Sequence, residues 1–135
     1  MAFDIFSTNI TLEETAEMVL VHPVTGVDIT DPKDEEKVVK FTLIGTSNPK
    51  HRKAIEALMK AKNKRGKREP TLEESRKESI DFLVALSVSV ENMLYNGQEI
   101  NTAEVFRELY SNEKLAWVRD QVSAFLSLSD NFIQA

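Results

Sequence analysis

The stretch Thr71–Tyr95, TLEESRKESIDFLVALSVSVENMLY, decides how the chain is read. Pro70 discourages helix before it, Thr71 can cap, and Glu74 completes a capping-box pattern. Glu73 and Glu74 suit the positive end of a helix dipole. Asn96-Gly97 follows as a stop, since both residues readily take positive φ. The spacing predicts one central helix over residues 71–95, about 37 Å long at ~1.5 Å per residue.

At about 100° per residue, Phe82, Leu86, Val90 and Met93 fall on one seam, with Leu83 beside it. Ile80, Val84, Val88 and Tyr95 form a second seam. Together they cover an arc of about 240°, well beyond the ~100° of an ordinary surface helix. Such a helix is either buried on several sides by its own domain or lends one seam to another chain. Leu86-Ser-Val-Ser-Val90 also alternates as a strand would and is rich in β-branched residues. The helix formers upstream and the continuing 3.6-residue period favour helix.

Working outward, residues 1–16 read as an N-terminal arm and residues 17–135 as a single helical domain. Glu17–Val21 and Lys37–Ile44 are strand candidates that can pair as a hairpin within residues 17–45. Between them His22-Pro-Val-Thr-Gly26 is a turn, and Asp28–Glu36, with Pro32, is a loop. Asn48 caps and Pro49 opens a helix over about 49–64. Asn63–Pro70 is a basic linker, and further helices follow at about 102–110 and 113–128. The expected fold class is mainly α: an N-terminal β-hairpin or short strands, then a four-helix domain around the long central helix.

Composition narrows function. The chain has 135 residues, 41% apolar and 29% charged, with a net charge of −5, so no global pull toward nucleic acid or anionic membrane is expected. Cysteine is absent, which removes disulfides and thiolate chemistry. No run approaches the ~18 apolar residues of a membrane span. The opening MAFDIFSTN lacks a basic n-region and a long apolar core, so the cytosol is the expected location. His22 and His51 have no partner at metal-ligand spacing. Glu13-Glu14, Asp34-Glu-Glu36 and Glu73-Glu74 read as solvated faces and helix starts, and there is no glycine-rich phosphate loop. No catalytic residue, cofactor or metal is expected.

Two further features stand out. Lys50–Arg68 holds nine of the 17 Lys and Arg and one of the 22 acids, a local charge of +8 that leaves −13 on the rest. Its candidate basic surface is Lys50, Arg52, Lys53, Lys60, Lys64, Arg65, Lys67 and Arg68. It can be a solvated helix face, an acidic-protein site or a nucleic-acid site; the absence of interleaved aromatic residues argues against the last. Trp117, the only tryptophan, is either a peripheral core residue or an interface anchor. With Phe82, Leu86, Val90 and Met93 it makes up the candidate interaction set.

Near the C-terminus, Trp117-Val-Arg-Asp-Gln-Val122, then Phe125 and Asn131-Phe132, resemble the tail assembly chaperones of long-tailed double-stranded DNA bacteriophages. So do Val21-His-Pro-Val-Thr-Gly26 followed by Val38–Gly45, a charged helix, the apolar central stretch, and Ala103-Glu-Val-Phe-Arg-Glu-Leu-Tyr110 before the Trp117 segment. The resemblance rests on order and spacing over residues 17–132. It implies a non-enzymatic assembly factor of the host cell cytoplasm, absent from the mature virion. Its implied partners are the tape measure protein, which it keeps soluble, the tail tube protein, which it helps polymerise, further copies of itself, and a frameshift-extended form of the same protein. The rival class is a small nucleic-acid-associated protein using residues 50–68.

Overall fold

A computed structural model of the chain describes residues 2–133. Residue 1 of the arm and residues 134–135 of the expected domain lie outside the described residues. The fold is mixed α/β, with 47% helix and 23% strand in three sheets, and corrects the mainly-α expectation. The central segment carries the correction. Helix α2, Leu72–Ala85, starts at Thr71 as a complete capping box. The Glu74 N–H donates to Thr71 Oγ1 (3.1 Å), and the Thr71 N–H donates to Glu74 Oε1 (3.2 Å). The helix then stops at Leu86, and Ser87–Glu91 continues as a strand, β5.

Two local effects end the helix there. The Ser87 hydroxyl donates to the Leu83 carbonyl (2.7 Å), and the Leu86 N–H is shared between the Phe82 and Leu83 carbonyls (3.2 Å each). The alternating valines then suit a pleated ladder better than a helix. What settles it is a partner. Strands β1, Thr15–Val19, and β4, Lys40–Ile44, pair antiparallel, and β4's second edge takes β5. The sheet order is β1-β4-β5. Met18, Phe41 and Val90 stand side by side across it. The register slips between Thr42 and Leu43, because Val88 is an extra residue opposite that step.

The Asn96-Gly97 pair is likewise no helix stop. Both residues have positive φ, 48° and 77°, as a type I′ turn requires. They join β6, Leu94–Tyr95, to β7, Gln98–Glu99. The acidic segment read as a loop contains a second hairpin, β2, Thr30–Asp31, with β3, Asp34–Val38.

Three helices complete the molecule. Helix α1, Pro49–Arg65, begins with Asn48 accepting from the Lys50 N–H (3.0 Å). Helix α3, Ala103–Ser111, is capped by Thr102. A 3-10 turn, Glu113–Leu115, leads into α4, Ala116–Leu126. The principal core lies between one sheet face and helices α2, α3 and α4, with Phe41, Leu43, Val84, Phe106, Tyr110 and Val122 at its centre. A smaller cluster of Ile44, Ala54 and Leu86 attaches α1. The chain's end folds back as a 3-10 turn, Ser129–Phe132, which places Phe132 against Gly45 and edge-on to Phe125 (5.6 Å).

Candidate interaction surfaces

The seam Phe82/Leu86/Val90/Met93 does not exist as one face. Because the helix ends at Leu86, its four members fall in two environments. Leu86 is fully buried in the small cluster, with Phe82 partly buried against it. Val90 and Met93 lie partly buried against the principal core. A contact site centred on Leu86 is therefore corrected: its side chain is interior. The second seam is divided too, with Ile80 and Val84 in the core and Val88 half-exposed at the bulge.

Trp117 is partly buried and packs its inner side on the principal core. Its outer side helps frame a shallow depression with the turn Val21–Gly26 and with Asp120, Gln121 and Ala124 of α4. The chain builds this wall from local chemistry. His22 Nδ1 accepts from the Val24 and Thr25 N–H groups (3.1 and 3.2 Å), and its carbonyl accepts from Gly26 N–H (2.9 Å). Gly26 has φ +73°, which a side chain would strain. The Gln121 amide then ties the turn to α4. Its oxygen accepts from Val21 N–H (3.1 Å), and its nitrogen donates to the Val21 carbonyl (2.7 Å). At the tip, Val24 is 86% exposed. Two segments 100 residues apart thus meet in one rigid, partly apolar surface. The sequence marked both segments but carried no signal that they touch.

The basic run is divided as well. Arg65 pairs with Glu78, and Arg68 makes a two-pronged contact with Glu74 at 2.8 Å on each oxygen. These arginines staple the end of α1 and its linker to α2. The Glu74 carboxyl is held down at about 2, chiefly by the Arg68 hydrogen bond and then by the Thr71 backbone. Lys50, Arg52, Lys53, Lys60, Lys64 and Lys67 are exposed. Helical spacing puts Lys53, Lys60 and Lys64 on one flank of α1 and Arg52 on the other. The exposed lysines thus form one short stripe, while Arg52 lies off it and Arg65 and Arg68 are taken up by acids of α2.

Other apolar side chains are open to solvent. The arm displays Phe3, Ile5, Phe6 and Ile10, and α1 displays Ile55 and Met59. Among the described residues no group of three or more His, Cys, Asp or Glu could hold a metal ion. No helix among them is long and apolar enough to cross a membrane. No family model, curated protein or solved structure matches the chain.

Proposed function

We propose that this protein is a bacteriophage tail assembly chaperone that binds the tape measure protein, keeps it soluble and promotes tail tube polymerisation around it. The observation that carries the reading is the Val24/Trp117 surface. The two segments on which the resemblance rests most visibly, Val21–Gly26 and Trp117–Val122, converge there. A shallow depression framed by Trp117 and the exposed Val24 suits one face of an amphipathic helix, and a tape measure protein presents long stripes of that kind before the tube encloses it. In this reading the protein works in the host cytoplasm, without cofactor or catalytic step, and leaves before the virion is complete. It associates with further copies of itself and with a frameshift-extended form.

The test is co-expression with the tape measure protein. The wild type should hold the tape measure in the soluble fraction and co-purify with it. Val24→Glu combined with Trp117→Ala should lose both while circular dichroism shows a folded chain. A folded double variant that still co-purifies at wild-type yield would overturn the assignment of this surface. A wild type that leaves the tape measure insoluble would overturn the function.

A further inference from the structure

Two exposed patches on the same chain are complementary in both polarity and charge. The first is the arm. Phe3, Ile5, Phe6 and Ile10 are between 65% and 73% exposed, four large apolar side chains within eight residues. The arm is not loose chain. Asp4 accepts from the Phe6 N–H (2.9 Å) and caps a 3-10 turn over Ile5–Thr8, which Asn9 closes at φ 58°. Its base is fixed: Leu12 bridges Ile133, the Glu13 N–H donates to the Phe132 carbonyl (2.6 Å), and the Ser47 hydroxyl donates to the Glu13 carbonyl (3.1 Å). The first 32 residues contain no Lys or Arg, while Asp4, Glu13 and Glu14 make the arm acidic.

The second patch lies on α1. Ile55 and Met59, one helical turn apart, are 42% and 50% exposed. By spacing, Arg52 and Lys62 frame them, three residues before and three after, with Glu56, the single acid of α1, beside Arg52. Among the described residues neither Arg52 nor Lys62 makes an ion pair, unlike Arg65 and Arg68. Isolated exposed apolar residues are ordinary; an ordered apolar, acidic arm and an apolar, basic helix face on one molecule are not.

The geometry points to a head-to-tail contact in which the arm of one copy docks on the Ile55/Met59 face of α1 in the next. In this structure the arm lies free of its own α1, since both patches are exposed at once. Each chain therefore carries one donor and one acceptor, at different places. Such a heterologous contact generates rings where the rotation closes and filaments where it does not. Apolar insertion supplies part of the affinity, and the opposed charges supply a further part that salt screens and set the register. The proposal deepens the self-association within the function above. Its test uses the purified chain alone, so its failure leaves co-purification with the tape measure standing, and the reverse also holds.

The experiment is a light-scattering mass measurement over a wide concentration range. The wild type should form species larger than a dimer that shrink as salt rises. Phe3→Ser with Phe6→Ser removes the donor, and Ile55→Asp with Met59→Asp removes the acceptor; both sets are exposed, so circular dichroism should be unchanged. Each variant alone should be monomeric. Mixed in equal amounts they should give a dimer and nothing larger, because one intact donor meets one intact acceptor. Arg52→Glu with Lys62→Glu, which leaves every apolar residue in place, should weaken assembly most at low salt. A wild type that is monomeric throughout, as it would be if the arm closed on its own α1, overturns the proposal. So does either apolar variant assembling normally, or a mixture that stays monomeric.

Discussion

Ser87 Oγ and Tyr110 Oη lie 2.7 Å apart where α2 gives way to β5. The single Ser87 hydroxyl hydrogen is directed to the Leu83 carbonyl, so Tyr110 is the donor in this pair. Tyr110 is fully buried, and the pair joins the helix end to α3.

That direction makes the two deletions unequal. Tyr110→Phe removes one hydrogen bond and leaves Ser87 satisfied by Leu83, at a cost of about 1 kcal/mol. Ser87→Ala strands a buried phenol donor and should cost ~1–3 kcal/mol. Urea melts of the two variants should rank them in that order. Burial also raises the Tyr110 pKa well above 10, against a smaller lowering by Ser87. The sign follows: the buried neutral form holds its proton where the unfolded chain releases it. Stability is therefore intact below the ordinary tyrosine range and falls as pH rises above about 10. Tyr110→Phe should flatten that alkaline loss.

Leu86 and Val24 provide a contrast between interior and surface. Leu86→Ala should cost about 2–5 kcal/mol, and Leu86→Glu should leave no folded chain, because the site is sealed by Ile44, Ala54 and Phe82. Val24→Glu should melt within ~0.5 kcal/mol of the wild type, since the side chain already stands in solvent. Thermal melting by circular dichroism checks all three.

Gly45 is a matter of space rather than backbone freedom. A methyl group there would meet Phe132 Cδ1 at 2.6 Å. Gly45→Ala should displace Phe132, loosen the C-terminal turn and cost ~1–3 kcal/mol. Amide exchange should quicken at Glu13, whose N–H donates to the Phe132 carbonyl, more than within β5.

The Arg68–Glu74 contact sets an acid limit. Glu74 titrates at about 2 in the folded chain against an ordinary 4.5, with Arg68 as the largest cause. A lowered carboxylate contributes stability that is present above the unfolded value and is lost as pH falls from about 4.5 towards 2. Carboxyl-carbon NMR titration should find the low value. In Arg68→Ala it should rise but stay below the ordinary one, because the Thr71 contact remains.

What the sequence made legible is what short-range chemistry controls. The caps at Asn48 and Thr71 each bond within three residues, so they can be read from a few letters. The mainly-α reading failed at Ser87–Glu91, where helix period and strand alternation coexist. The deciding partner, β4, lies more than 40 residues away. Asn96-Gly97 was misread because a helix stop and a type I′ hairpin want the same positive φ. The candidate seam fell with the helix that defined it. Trp117 was visible as an unusual residue, but its neighbour across the depression is fixed by Gln121 reaching Val21, a contact no local pattern encodes.

The sheet order β1-β4-β5 also sets a timetable for folding during synthesis. Strand β1 precedes β4 and can pair with it as soon as both have emerged, closing over the short β2–β3 hairpin. Strand β5 begins at Ser87, after α1 and α2. At ~5–20 residues per second, about two to nine seconds separate Ile44 from Ser87 on the ribosome. Through that interval β4 keeps one unpaired edge, and Phe41 and Leu43 lack their cover from α3 and α4, which follow β5. Slower translation between residues 45 and 87 lengthens the exposure; faster translation shortens it.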